Sequence, residues 1–277
     1  MNVDPVTTQV TASSDPLPQI LQGIPIAYRD VRVEANRRDF TLNPTNCATQ
    51  KVTSTLTSAT GQTANPSSSF QASGCKELDF APKLSLKVKG GTQRSQFPAL
   101  TATLKAGKGE ANIANASVTL PHSEFLAQEH IGTVCTRVQY AADSCPKASV
   151  YGKATATTPL LDKPLSGLVY LRSSSHTLPD LVMALKGPID VDLVGRIDSV
   201  NGGIRTTFDS VPDAPVSKFT LNMQGGKKGL LVNSRNLCAG ANKATVELQG
   251  QNGKSADQRP VVGNSCSAKA KKKVRQR

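Results

Sequence analysis

The sequence predicts an all-β protein of antiparallel, β-sandwich-like modules, with one short helix and local disulfide loops. Three observations carry that prediction. Thr, Ser, Gly, Pro and Val recur in short runs, which suits strands and turns better than long helices. A period-two alternation marks the segment 189–211. Six cysteines fall into three short-range pairs.

The alternating segment is the clearest local signal. Ile189, Val191, Leu193 and Ile197 interleave with Asp190, Asp192, Arg196 and Asp198, as in a half-buried strand. Asn201-Gly202 is a hairpin turn signal. A two-residue turn there sets Asp198 opposite Arg205, pairing the charges on the wet face, and Gly195 opposite Phe208, whose ring covers it. Further strands are expected at 83–89, 99–104, 115–120, 148–157, 167–172, 180–186, 217–224 and 243–248, with Gly and Pro at roughly ten-residue intervals between them. A short helix is expected over 123–130, with Ser123 as N-cap and Phe125 and Leu126 turned inward. The N-terminal region is expected to be β through 20–35 and 50–57, while 1–15 and 267–277 read as disordered ends.

The 277 residues suffice for one large domain or two ordinary ones, and 38% hydrophobic content argues against general disorder. No stretch approaches the roughly 20 apolar residues of a membrane span. The net charge is +13, but Lys269, Lys271, Lys272, Lys273, Arg275 and Arg277 supply six of those charges within a tail that has no acid. That tail reads as a solvated end or as a set of candidate polyanion contacts, attractive at long range and weakened by salt.

Cys47 and Cys75 are separated by 28 residues, as are Cys238 and Cys266; Cys135 and Cys145 bound a tighter loop. No CxxC occurs, so zinc-ribbon and thioredoxin patterns are missing. Fifteen pairings are open to six cysteines, and only nearest-neighbour pairing makes the two equal spacings one repeated object. Disulfides point to an oxidising compartment, secreted or cell-surface. The first thirty residues hold no signal peptide.

An internal repeat bears on that conflict. Asn46-Cys47 matches Asn236-Leu237-Cys238 with one inserted residue, and Lys51, Thr53 and Leu56 match Lys243, Thr245 and Leu248. Upstream, LPQILQGIPI at 17–26 resembles LPDLVMALKGPI at 178–189. Repeats of this kind mark repeated supersecondary units. On this reading 16–75 is the C-terminal part of a preceding module, 76–266 is a complete module, and the chain is a fragment of a longer one.

The runs SDPLPQILQGIP, FTLNPTNC, VTLPHSEFL, YLRSSSHTLPDL, DLVGRIDSVNGGIRTTF and GGKKGLLVNS resemble a family of large, repetitive secreted proteins of Actinobacteria. The resemblance covers about residues 13–266 and implies a secreted multi-module protein. It carries no catalytic residues, and the long N-terminal part of the family pattern is missing here.

Candidate chemistry is sparse. Asp190, Asp192, Asp198 and Asp209 form an acidic set that Ca²⁺ or a glycosidase mechanism would need, but the spacing lacks EF-hand order and Arg196 and Arg205 lie among them. His122, His130 and His176 show no HExxH or HxH spacing, although His122 lies two residues before Glu124, an imaginable acid–base pair; His130 is placed to end the short helix. There is no G-x-S-x-G elbow. MQGGKKGLL at 223–231 lacks the Walker order and reads as a basic turn. With no Trp and four Tyr, stacking platforms for sugars or single-stranded nucleic acid are poorly supplied, and nucleic acid is not an expected partner.

No cofactor, metal or catalytic residue is assigned. The sequence is thus read as a non-catalytic extracellular structural or adhesive module of a larger secreted protein, with an unidentified partner. The alternatives are binding of anionic cell-envelope or extracellular polymers through the basic surface and tail, and a carboxylate-dependent hydrolase.

Overall fold

The computed structural model describes residues 1–34, 36, 42–200 and 203–266. It is mostly β, with all strand ladders antiparallel. Eleven strands make one sheet: β1 (Lys83–Lys89), β2 (Ala99–Lys105), β3 (Ile113–Thr119), β4 (Val150–Thr157), β5 (Leu165–Arg172), β6 (Asp180–Lys186), β7 (Val191–Val200), β8 (Gly203–Phe208), β9 (Lys218–Met223), β10 (Thr245–Gly250) and β11 (Ser255–Gln258). Their order is β11-β10-β3-β8-β7-β6-β5-β4-β9-β2-β1.

The two edges of that sheet meet. After β11 the chain turns back onto β1, where Val88 N donates to Gly263 O at 2.7 Å and Gly263 N to Leu86 O at 2.9 Å. The Gln258 side chain spans the remaining gap, donating to Pro82 O at 2.6 Å and accepting from Leu84 N at 3.1 Å. The sheet is therefore a near-barrel, which removes the unpaired edges that an open sheet presents. A round barrel of eleven strands would leave a lumen. Here Leu86 and Val88 from β1, Val169 and Leu171 from β5, Met183 and Leu185 from β6, and Ile197 and Ile204 from β7 and β8 belong to one buried cluster. Opposite walls touch, so the section is flattened and sandwich-like, as the alternation of the strands requires.

Each end of the barrel is plugged. At one end lies a two-stranded ladder of Glu124–Leu126 with Leu231–Asn233, and Leu120, Leu230, Leu231 and Leu237 join the core there. At the other end Phe80, Ala111 and Ile113 pack with Val246 and Leu248. Glycines allow two close approaches within the wall. A Cβ at Gly167 would stand 1.6 Å from Ala184 O, and one at Gly195 would stand 2.6 Å from the Phe208 ring.

The expected β7–β8 register is present, with Asp198 opposite Arg205 and the Phe208 ring over Gly195. Asn201-Gly202 lies outside the described residues; the ladder runs to Val200 and Gly203, leaving two residues for the turn. The expected charge pair does not form. Asp198 accepts from Arg196 Nε at 2.9 Å, two residues away on the same face, and Arg205 Nε is buried without a partner.

Three further expectations differ from the structure. Residues 123–130 are not a helix: they form the Glu124–Leu126 strand and a 3-10 turn, Gln128–His130, because Leu231–Asn233 offers a ladder partner more than a hundred residues away. The α-helix, α1 (Arg137–Ala141), lies inside the Cys135–Cys145 loop, started by a capping box of Thr136 and Gln139. The β structure expected through 20–35 is confined, among the described residues, to one short hairpin. Ile20–Leu21 and Ile24–Pro25 close a tight hairpin on Gln22 and Gly23, both in the left-handed region. The similar segment 178–189 becomes β6 because it has strands on both sides, whereas 17–26 has no sheet to join. Residues 1–15, expected as a disordered end, carry a small hairpin of Asn2–Val3 with Val10–Thr11, and Pro5 O accepts from Asp192 N.

The N-terminal region also docks through a carboxylate. Asp213 accepts from Thr45 N and Oγ1, Asn46 N and Nδ2, and Asn112 Nδ2, all at 2.7–3.0 Å. Beyond this clamp, the Cys47–Cys75 loop carries a hairpin of Thr49–Thr53 with Ser67–Gln71, extended by Leu56–Thr57 with Thr63–Ala64. It returns to the barrel at Cys75, whose carbonyl accepts from Asn252 Nδ2 at 3.2 Å. The other 28-residue loop, Cys238–Cys266, encloses the β10–β11 hairpin that closes the barrel.

The two bridges should therefore differ in effect. C238S/C266S should lower stability in urea by about 3–4 kcal/mol, the chain-entropy figure for a loop of this length. C47S/C75S should leave the barrel transition within about 1 kcal/mol of the parent. Equal losses from both pairs would contradict the assignment of closure to one hairpin.

Candidate functional site

A connected group of polar side chains lies on the outer face of β5, β6 and β7, beneath the Cys135–Cys145 loop. That loop is held against β5 by Cys135 N to Leu171 O and Ser173 N to Cys135 O, both at 2.8 Å. It carries α1 across the strands and sets Tyr140 among Tyr170, Arg172 and Asp192. The Tyr140 hydroxyl donates to Asp192 at 2.7 Å, its ring meets Tyr170 edge-on, and the Arg172 guanidinium stands 5.3 Å from its centroid. Burial, then the Asp192 hydrogen bond, drives the Tyr140 phenol far above the usual tyrosine range, so it stays protonated.

Cross-strand register sets Arg172 against Asp180. The buried Asp180 carboxylate accepts from Arg172 Nη2 at 3.2 Å and lies 2.9 Å from His176 Nε2. The turn carrying His176 is fixed by Ser174, whose hydroxyl donates to the carbonyls of His176 and Leu178. An aspartate orienting a histidine is half of a nucleophilic triad. The other half is missing: among the described residues no serine hydroxyl or thiol hydrogen-bonds a histidine ring.

The remaining candidates separate rather than converge. Asp190 binds Lys186 at 2.8 Å, Asp192 binds Tyr140 and Asp198 binds Arg196. No group of three or more Asp, Glu, His or Cys side chains among the described residues could share a metal ion. His130 ends the 3-10 turn; its Nδ1 lies 2.8 Å from Gly229 O and its ring packs on Phe97. Lys228 in the GGKKG turn donates to Ala148 O and Val150 O, tying that turn to β4. The tail lysines and arginines, 269–277, lie outside the described residues. Two shallow depressions, of about 140 Å³ beside Phe125 and Ile204 and about 290 Å³ on the outer face of β3, β10 and β11, fall below the usual ~300–1,000 Å³ of small-molecule sites.

Three features lay beyond sequence reasoning. One is the Asp213 clamp, which sits in an unpatterned VPDAP loop. Another is Glu124, only 1% exposed, bonded to Ser123 through one oxygen and with the other left unpartnered. The third is a lysine face. Lys83, Lys87 and Lys89 on β1, Lys105 on β2, Lys218 on β9 and Lys153 on β4 all point outward and are exposed. Register puts Lys83, Lys105 and Lys218 in one row across three strands, separated from Lys87 and Lys153 by Ser and Thr. These four strands carry no acidic residue. The alternation of KLSLKVK could have suggested the first three lysines, but the cross-strand row needs the register.

Comparison with known protein families, curated proteins and solved structures finds no match to this chain.

The buried acid gives a pH test. Desolvation raises the Glu124 carboxyl above its ordinary value, only partly offset by the Ser123 hydrogen bond and the charge of Arg235. The folded state then holds that proton more tightly than the unfolded chain. Its stabilisation is complete below the unfolded value and is lost as pH rises through the folded one. As pH rises from acidic to neutral, the parent should lose stability relative to E124Q. A difference in urea midpoint that stays constant with pH would contradict this.

Proposed function

We propose that the chain is a non-catalytic structural or adhesive module of a larger extracellular protein. The observation that carries this is the barrel interior: both walls meet in one apolar cluster, leaving the outer faces and loops as the working surface. Three disulfides brace those loops, in keeping with an oxidising compartment, and among the described residues no helix is long and apolar enough to cross a membrane. Of the carboxylates that a hydrolase would need, Asp190, Asp192 and Asp198 are each engaged by a different partner.

The lysine face favours a second reading, attachment to an anionic polymer of the cell envelope or matrix. Like charges directly opposite on neighbouring strands, about 4.8 Å apart, destabilise a sheet. Lys83, Lys105 and Lys218 keep that arrangement with no ion-pair partner among the described residues. A polyanion laid along the row relieves the repulsion, and the tail at 267–277 adds to the attraction.

Retention on immobilised dextran sulfate separates the two readings. If the face binds polymer, K83Q/K105Q/K218Q should elute at clearly lower salt than the parent, and deletion of 267–277 should lower it further. Near 1 M salt, where screening acts within about 3 Å, all variants should behave alike. Identical elution of every variant would leave the purely structural reading standing and remove the polymer one.

A further inference from the structure

The Cys47–Cys75 hairpin is amphipathic, yet neither face is covered. Its register puts Gln50 with Phe70, Val52 with Ser68 and Leu56 with Ala64, so Val52, Leu56, Ala64 and Phe70 share one face. The other face carries Thr49, Lys51, Thr53, Thr57, Thr63, Ser67 and Ser69. Such alternation is the mark of a strand pair with one face in a core. Here Val52 and Leu56 are each 59% exposed and Phe70 is 48% exposed. Among the described residues both outer edges of the hairpin are unpaired. The Ser67–Gln71 edge has no charge or proline to block pairing.

The barrel itself indicates what covers that face. The β10–β11 hairpin sits in the second 28-residue disulfide loop and starts from the same turn: Asn236 Oδ1 accepts from Cys238 N, as Asn46 Oδ1 accepts from Ala48 N. The matches of Thr53 with Thr245 and Leu56 with Leu248 put Val52, Ser54 and Leu56 in phase with Ala244, Val246 and Leu248. Those three are buried, Leu248 at 1% exposure, because β3 flanks them and the barrel core lies beneath. The apolar face of the free hairpin offers on the order of 400 Å², about half of what one partner contributes to a standard interface. A flat docking site is therefore insufficient; an open sheet edge adds main-chain hydrogen bonds to the same contact.

We infer that the Cys47–Cys75 hairpin is a closing element for a second barrel body of this same fold, entering between its equivalents of β3 and β1 as β10–β11 does here. The ends of the barrel suit such joining. The Cys238–Cys266 base lies beside Thr92 after β1, whereas Thr45, Asn46 and Cys75 attach at Asn112, Asp213 and Asn252 respectively, past the opposite strand ends. Barrels joined this way run head to tail. The inference rests on the multi-module reading above, but polymer retention tests that surface and not this joint, so either can fail alone.

Both segments are 29 residues long, which permits a direct exchange. In the full chain, 238–266 is replaced by a second copy of 47–75. The graft should unfold in one transition and keep the Leu86 and Val88 amides protected from hydrogen exchange. Asp at the grafted copy of Leu56 should abolish that transition, whereas L56D in the natural chain should leave the midpoint unchanged. A second measurement covers a graft that fails through unrelated junction strain. L248D evicts the resident hairpin, so it should self-associate head to tail in sedimentation equilibrium, with mass rising with concentration, and adding L56D should return it to monomer. Failure of the graft together with monomeric L248D overturns the inference. So does a graft indifferent to Asp at the grafted Leu56, or a natural chain destabilised by L56D.

Discussion

Closure of the sheet is the constraint on which the molecule depends. Eleven strands contribute alternate side chains to one interior, and that interior excludes water only when β1 and β11 are joined. The join is made economically, by two main-chain hydrogen bonds at Gly263 and by the Gln258 amide. Backbone groups left unpaired at such a seam would cost as much as the lost hydrogen bonds. The Cys238–Cys266 bridge encloses the closing hairpin and the returning strand, so one covalent loop limits how far both can part in the unfolded chain.

Closure also explains why the surface, rather than the interior, is available for function. With both walls in contact and both ends plugged, chemistry is confined to outward-facing side chains and loops. These are distributed unevenly. Lysines and hydroxyls cover β1, β2, β9 and β4, while Asp190, Asp192 and Asp198 lie on or beside β7. Tyr140, Arg172, His176 and Asp180 form a brace between the Cys135–Cys145 loop and the wall. The N-terminal region follows different rules: it is pinned at Asp213 and leaves its apolar side chains in solvent.

Much of this was legible in the sequence because most of it is local. Residues 83–89 alternate so regularly that their strand falls where expected, the apolar run at 180–186 is also a strand as expected, and the 189–211 hairpin has the expected register. The 28-residue spacings foretold two of the disulfide loops. What failed depends on distant partners. Residues 123–130 read as a helix because Leu231–Asn233, the strand partner of Glu124–Leu126, cannot be seen from their own pattern. The real helix had a local signal, Thr136 three residues before Gln139, inside a loop treated only as a disulfide. The ion pair of Asp198 went to Arg196 because geometry within one face outweighed register across strands. No local pattern could place Glu124 in a core or line up Lys83, Lys105 and Lys218.

Native-state hydrogen exchange at the seam tests the central claim most directly. If closure is integral to the fold, the amides of Val88 and Gly263 should exchange only through global opening, with protection matching that of Val169 and Met183 in the opposite wall. Exchange of Val88 and Gly263 by local fraying, many-fold faster than Val169 and Met183, would show an open sheet and contradict the account.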